Sequence, residues 1–96
     1  MESVFVKKTY LISYDLRKPG RNYSSLYSAI KSYGTYAHVL ESVWSISTSR
    51  SAVEVRDHLA QHLDQNDDLI VITASAPGAW KGLSQELTDW LKENLH

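Results

Sequence analysis

Within the stretch from Val4 to Leu16 a period of two separates the faces, with Leu11, Ser13 and Asp15 on one side and Tyr10, Ile12, Tyr14 and Leu16 on the other. β-Branched and aromatic residues dominate the stretch, and Lys18, Pro19 and Gly20 end it as a turn, which predicts a first strand. The period then changes. Tyr23, Leu26, Tyr27, Ile30 and Tyr33 recur at helical spacing, the inward stripe of a helix that Asn22 caps and Gly34 closes at C′. Strand character returns from Tyr36 to Thr48. Polar Glu41 and Ser42 interrupt it, predicting two short strands, Tyr36 to Leu40 and Val43 to Thr48, joined tightly.

Ser51 followed three residues later by Glu54 forms a capping box, and Ala52, Val55, Leu59 and Leu63 continue at helical spacing, predicting a second helix over 51–63. Asp64 to Asp68 reads as a polar turn. Leu69 to Ala74 is an apolar, β-branched run, predicting an interior strand buried on both faces or covered by a partner. Beyond Pro77 and Gly78, a stripe of Trp80, Leu83, Leu87, Trp90, Leu91 and Leu95 predicts a C-terminal amphipathic helix over about 80–95.

The order strand, helix, strand, strand, helix, strand, helix predicts an α+β domain. Two right-handed βαβ-type crossovers around a four-stranded antiparallel sheet make it a split βαβ, or ferredoxin-like, arrangement, with its core over about 4–74 and an added C-terminal helix. With 96 residues there is room for one domain. A chain of this size buries roughly 60–65% of its unfolded surface, so any active site is expected to be shallow or shared between subunits.

The composition, 43% hydrophobic and 22% charged, is that of a folded globule rather than a disordered chain. The absence of cysteine excludes a disulfide framework, a zinc ribbon and thiol catalysis. The longest apolar runs fall far short of the ~18 residues of a membrane span, and residues 1–15 lack signal-peptide organisation, so a cytoplasmic setting is expected. The net charge of −1 conceals an asymmetry. Residues 1–50 hold seven basic and three acidic side chains, residues 51–96 three basic and eight acidic. Such halves suit a basic surface that meets a polyanion, a self-complementary face that pairs copies of the chain, or an ordinary mixed surface.

Asp15 ends the first strand beside Ser13 on the same face, followed by Arg17, Lys18 and Arg21. A carboxylate there suits Mg²⁺ or Mn²⁺, but one is too few for a site unless a second copy supplies another across a two-fold axis; otherwise Asp15 accepts bonds from the following loop. From Lys7 to Lys31, six cations and four tyrosines accompany a single acid, a composition compatible with nucleic acid, although Tyr23 and Tyr27 sit at core spacing. His58 and His62 share a helix face at a spacing that can bind zinc or simply be solvated, with no third ligand at a fixed spacing. Neither a phosphate-binding glycine loop nor a serine nucleophile elbow is present.

The run Tyr10-Leu-Ile-Ser-Tyr-Asp15, the helix ending at Gly34, the segment His38-Val-Leu-Glu-Ser-Val-Trp44, the second helix and Asn66-Asp-Asp-Leu-Ile70 together resemble the small CRISPR-associated endonucleases, the second of the two adaptation proteins, and their virulence-associated protein D-like relatives. The similarity covers about residues 9–74. It implies a ferredoxin-like homodimer in which Asp15 of each subunit faces its mate and holds a divalent metal, Mg²⁺ or Mn²⁺, for cleavage of RNA or DNA, or else a non-catalytic role on DNA. On this resemblance Asp15 is the metal ligand and catalytic residue, Ser13 and Ser42 are auxiliary catalytic groups, and Arg17, Lys18 and Arg21 contact phosphates. The chain departs from the family in its short Lys18-Pro19-Gly20 turn and in a tail that reads as a helix where a fifth strand is usual, which suits a standalone relative outside any CRISPR system. The competing expectation is a non-catalytic dimerisation or protein-interaction module built on the open sheet face and the tryptophan-bearing C-terminal helix.

Overall fold

The computed structural model describes residues 6–18 and 22–96. Its elements are β1 (Lys8–Asp15), α1 (Ser24–Lys31), β2 (Tyr36–Leu40), β3 (Val43–Thr48), α2 (Ala52–Ala60), β4 (Asp68–Thr73) and α3 (Gln85–Asn94). The sheet has the order β2-β3-β1-β4, and every neighbouring pair is antiparallel. Each helical crossover therefore skips one strand: β3 lies between β1 and β2, and β1 lies between β3 and β4. This is the expected ferredoxin-like α+β arrangement. No helix among the described residues is long and apolar enough to cross a membrane.

The period of two in β1 sorts its side chains as expected. Tyr10, Ile12 and Tyr14 join Trp44 and Ile46 of β3 under α1 and α2, where Leu26, Ile30, Val55 and Leu59 complete the core. Ile12, Leu26, Ile30, Ile46, Val55 and Leu59 are fully buried, each contributing roughly 1.5–3 kcal/mol of transfer free energy. The Ser51–Glu54 capping box is present in both directions, the Glu54 N–H donating to Ser51 Oγ at 3.1 Å and the Ser51 N–H to Glu54 Oε1 at 2.9 Å. It satisfies two donors that the first turn of a helix otherwise leaves without partners.

Several boundaries differ from the sequence expectation. β1 begins at Lys8 rather than Val4, which lies outside the described residues. Asn22 does not cap α1; its Oδ1 accepts from the Ser24 N–H at 2.8 Å, and Tyr23 stands at the N-cap with no side-chain cap bond. The C-cap of α1 is Ser32, so Gly34, with φ of +86°, turns the chain one position beyond C′. α2 ends at Ala60, before Leu63. The Lys18-Pro19-Gly20 turn falls in part, and Arg21 wholly, outside the described residues.

Two corrections are larger. β4 is an edge strand, not an interior one. Its Leu69 and Val71 pack on the helix layer, whereas Ile70 and Ile72 point to the opposite face and remain 53% and 49% exposed. The C-terminal helix starts at Gln85 with Ser84 as N-cap, whose Oγ accepts from the Leu87 N–H at 3.1 Å, so Trp80 and Leu83 belong to the preceding loop. Those residues keep the helical spacing because loop and helix line the same groove, with the Trp80 indole N–H donating to Thr88 Oγ1 at 3.0 Å.

α3 lies on the sheet face opposite α1 and α2. Ala37 of β2 is buried beneath it, and the Thr9 hydroxyl donates to the Asn94 carbonyl at 2.6 Å. It does not cover the whole face. A groove of about 560 Å³, lined by Leu11, Val43, Ser45, Trp80, Leu83 and Leu91 among others, opens beside it.

Candidate functional site

β1 and β4 run antiparallel in a register that sets Asp15 directly opposite Asp68. Like charges facing each other across a ladder are destabilising. Arg17 resolves the conflict: its Nη2 lies 2.9 Å from Asp15 Oδ2 and 2.7 Å from Asp68 Oδ2. The hydrogen bond to Asp15, followed by the charges of Asp68 and Asp15, holds the Arg17 guanidinium pKa above its ordinary value. All three side chains are more than half exposed.

Asp67 organises the turn behind this pair. Its Oδ1 accepts from the Arg17 backbone N–H at 2.8 Å, its Oδ2 from the Asp64 N–H at 2.8 Å, and the buried Tyr23 hydroxyl donates to the same carboxylate at 2.9 Å. A carboxylate bonded in this way fixes the loop after β1 to the turn before β4. Tyr23, expected in the core stripe, is thus both packed and polar-anchored. Beside it, Arg17, Lys18, Asp64, Gln65, Asn66 and Asp67 line a shallow cleft of about 410 Å³.

A buried polar bridge stiffens the same strand end. The Trp44 indole N–H donates to the Tyr14 hydroxyl at 3.0 Å, and that hydroxyl donates to the Glu41 carbonyl at 3.3 Å. Burial, the largest cause, raises the Tyr14 pKa, and the hydrogen bond from Trp44 opposes it. Ser13 is half-buried on the Asp15 face, flanked by Val43 and Ile70. Ser42 is exposed in the β2–β3 turn and joins the ladder through its carbonyl, which accepts from the Tyr14 N–H at 3.3 Å.

The fold therefore brings Asp15, Arg17 and Asp68 together, with Asp67 and Lys18 adjoining them. Sequence pattern alone gives Asp68 no role, although Asp67 and Asp68 stand as an acidic pair at the start of the fourth strand. Antiparallel pairing of a strand-end acid with a strand-start acid is the signal that finds it. Among the described residues, no group of three or more His, Cys, Asp or Glu side chains is arranged to hold a metal ion. His58 and His62 lie edge to face at 5.9 Å, with His58 Nδ1 hydrogen-bonded to the Tyr33 hydroxyl at 2.7 Å, and His38 stacks on Trp44 at 3.9 Å.

The acid pair borders a row that crosses all four strands and is apolar on three of them, with Ser13 between. Register aligns Leu40, Val43, Ser13 and Ile70, with Leu11 and Ile72 in the next row. Leu40 is 57% exposed, so both ends of the row face solvent. No protein-family model matches the chain, and no solved structure matches it.

Proposed function

We propose that the chain is a homodimeric, Mg²⁺- or Mn²⁺-dependent endonuclease that cleaves RNA or DNA phosphodiesters in the cytoplasm, a standalone relative of the small CRISPR-associated and virulence-associated protein D-like proteins. The observation that carries this reading is the pairing of Asp15 with Asp68 at the margin of an exposed apolar row. A second copy seated on that row covers Leu40, Ile70 and Ile72 and brings the two acid pairs towards each other. Exposed apolar rows bordered by charge are common at interfaces between subunits.

The donor set suits the implied ion. Hard divalent cations take carboxylate oxygens, and Mg²⁺ is commonly held by one or two carboxylates with water completing its shell. Asp15 and Asp68 would hold it, and its chemistry there is the activation of water and the neutralisation of phosphate charge. Arg17 neutralises the same two carboxylates in the resting chain. Released from them, its guanidinium suits a phosphate oxygen pair bidentately, with Lys18 adding charge beside it and Arg21 following four positions after Arg17 in the sequence. Ser13 and Ser42 supply auxiliary polar groups.

The second reading, a non-catalytic dimerisation or protein-interaction module, is favoured by one specific observation: Arg17 already balances the acid pair. A panel of single- and double-stranded RNA and DNA incubated with Mg²⁺ or Mn²⁺ separates the two. Cleavage by the native chain that is lost in Asp15→Asn supports the nuclease. Equal cleavage by both chains removes Asp15 from the mechanism, and a native dimer that cleaves nothing leaves the module.

A further inference from the structure

We propose that the cavity between Tyr33, Arg50 and His58 binds a phosphate group, either free or carried by a small monoester. It lies at the other end of the sheet from Asp15. Lys8 pairs with Thr48, two residues before Arg50, whereas Asp15 ends β1 some 24 Å away at ~3.4 Å per residue. The cavity is therefore remote from the proposed nuclease site.

The cavity, about 370 Å³, is lined by Ser32, Tyr33, Arg50 and His58, a size suited to a small ligand rather than a duplex. Its walls are fixed by the core. Tyr10, itself buried, donates its hydroxyl to the Arg50 carbonyl at 2.7 Å, and the Arg50 N–H donates to Thr48 Oγ1 at 3.2 Å. The backbone of Arg50 is thus held on both sides, while among the described residues no carboxylate lies within ion-pair distance of its guanidinium. The carboxylate of Glu54, which acts on it through space, is committed to the capping box with Ser51.

Tyr33 sets what His58 offers. The two rings meet edge to face at 5.4 Å, and the Tyr33 hydroxyl is 2.7 Å from His58 Nδ1. A phenol is the stronger donor of the two, so Nδ1 accepts and the proton of the neutral ring resides on Nε2, a second donor. Burial first, then the nearby charges of His62 and Arg50, lower the His58 pKa and so favour the neutral ring. Burial raises the Tyr33 pKa, with the charge of Arg50 opposing it and that of Glu54 adding to it. An entering dianion reverses the electrostatics around His58: it engages Arg50 through a planar fork and draws a proton from solvent onto His58 Nδ1, the Tyr33 hydroxyl turning from donor to acceptor. A single carboxylate needs only the arginine, and this difference in charge selects phosphate.

Titration of the intact chain with inorganic phosphate, followed by NMR of the histidine ring protons, tests the proposal. The His58 signal is expected to shift saturably at millimolar phosphate and its titration midpoint to rise, with His38 unmoved. Arg50→Gln, an exposed substitution whose folding the same spectra verify, is expected to weaken binding by about tenfold, the range of a lost charge-assisted hydrogen bond. Glycerol phosphate binding as tightly as inorganic phosphate indicates that the phosphate group alone is read, and tighter binding indicates that the cavity also holds the ester. Acetate matching phosphate, no saturable shift, or undiminished binding by Arg50→Gln would overturn it.

Discussion

Tyr14→Phe removes one oxygen atom and leaves every ring in position, so it isolates the polar bridge beneath the candidate site. Tyr14 is 8% and Trp44 2% exposed, and the hydroxyl is the acceptor for the indole N–H at 3.0 Å. The Glu41 carbonyl at the far end of the bridge sits in an exposed turn and can turn to water. The indole N–H cannot. A buried donor left without a partner costs about 1–3 kcal/mol. With an unfolding entropy near 2.1 cal/mol/K per residue, a chain of this length loses roughly 5 °C in Tm per kcal/mol, so a fall of about 5–15 °C is expected. Thermal and urea unfolding followed by circular dichroism measure it, with an unchanged urea m-value showing that the folded state is otherwise intact. The decisive comparison is the same substitution in a Trp44→Phe background, where no indole N–H remains and the Tyr14→Phe cost should shrink by at least ~1 kcal/mol. Equal costs in the two backgrounds would refute the reasoning, because the hydroxyl would then matter for something other than Trp44.

Three further outcomes are expected. Ser51→Ala removes the side-chain acceptor of the capping box and should cost about 1 kcal/mol, read as a Tm loss of roughly 5 °C by calorimetry. His58 has a folded-state pKa below its ordinary value, chiefly through burial, so the fold prefers the neutral ring. Its contribution is complete above the unfolded histidine value of ~6.5 and is lost as pH falls from there through the folded value, so Tm should drop on acidification across this window, and less so in His58→Gln. Arg17→Gln should change stability little, since solvent screens an exposed ion pair, while raising affinity for Mn²⁺ in a calorimetric titration because Asp15 and Asp68 lose their shared counter-charge. Unchanged Mn²⁺ affinity in that variant would separate Arg17 from cation binding.

Local pattern carried most of the fold. β2 and β3 have the expected limits because the polar pair Glu41-Ser42 marks their turn unambiguously, and the Ser51 capping box announces α2 by chemistry that acts within one turn of helix. What failed were inferences that require knowing what lies on the other side of an element. Ile70 and Ile72 are as apolar as buried residues, yet hydrophobicity alone does not say whether the cover comes from the same chain, and α3 leaves them exposed. Trp80 and Leu83 continue the spacing of α3 because a loop and a helix can line one groove. The site divides in the same way. Asp15 was legible as the acid at a strand end, but its pairing with Asp68 is a consequence of strand order, and the ion pairs of Arg17 follow from that pairing.

The idea on which the proposed function depends is that two copies join over the row of Leu40, Val43, Ser13 and Ile70. Sedimentation equilibrium of the native chain beside Ile70→Lys, which adds a charge at a half-exposed position without disturbing the core, tests it directly. The expected result is twice the 10.9 kDa of one chain for the native protein and a single chain mass for Ile70→Lys, with the same Tm extrapolated to low concentration. A native protein that sediments as a monomer, or an Ile70→Lys variant that remains dimeric, would contradict it.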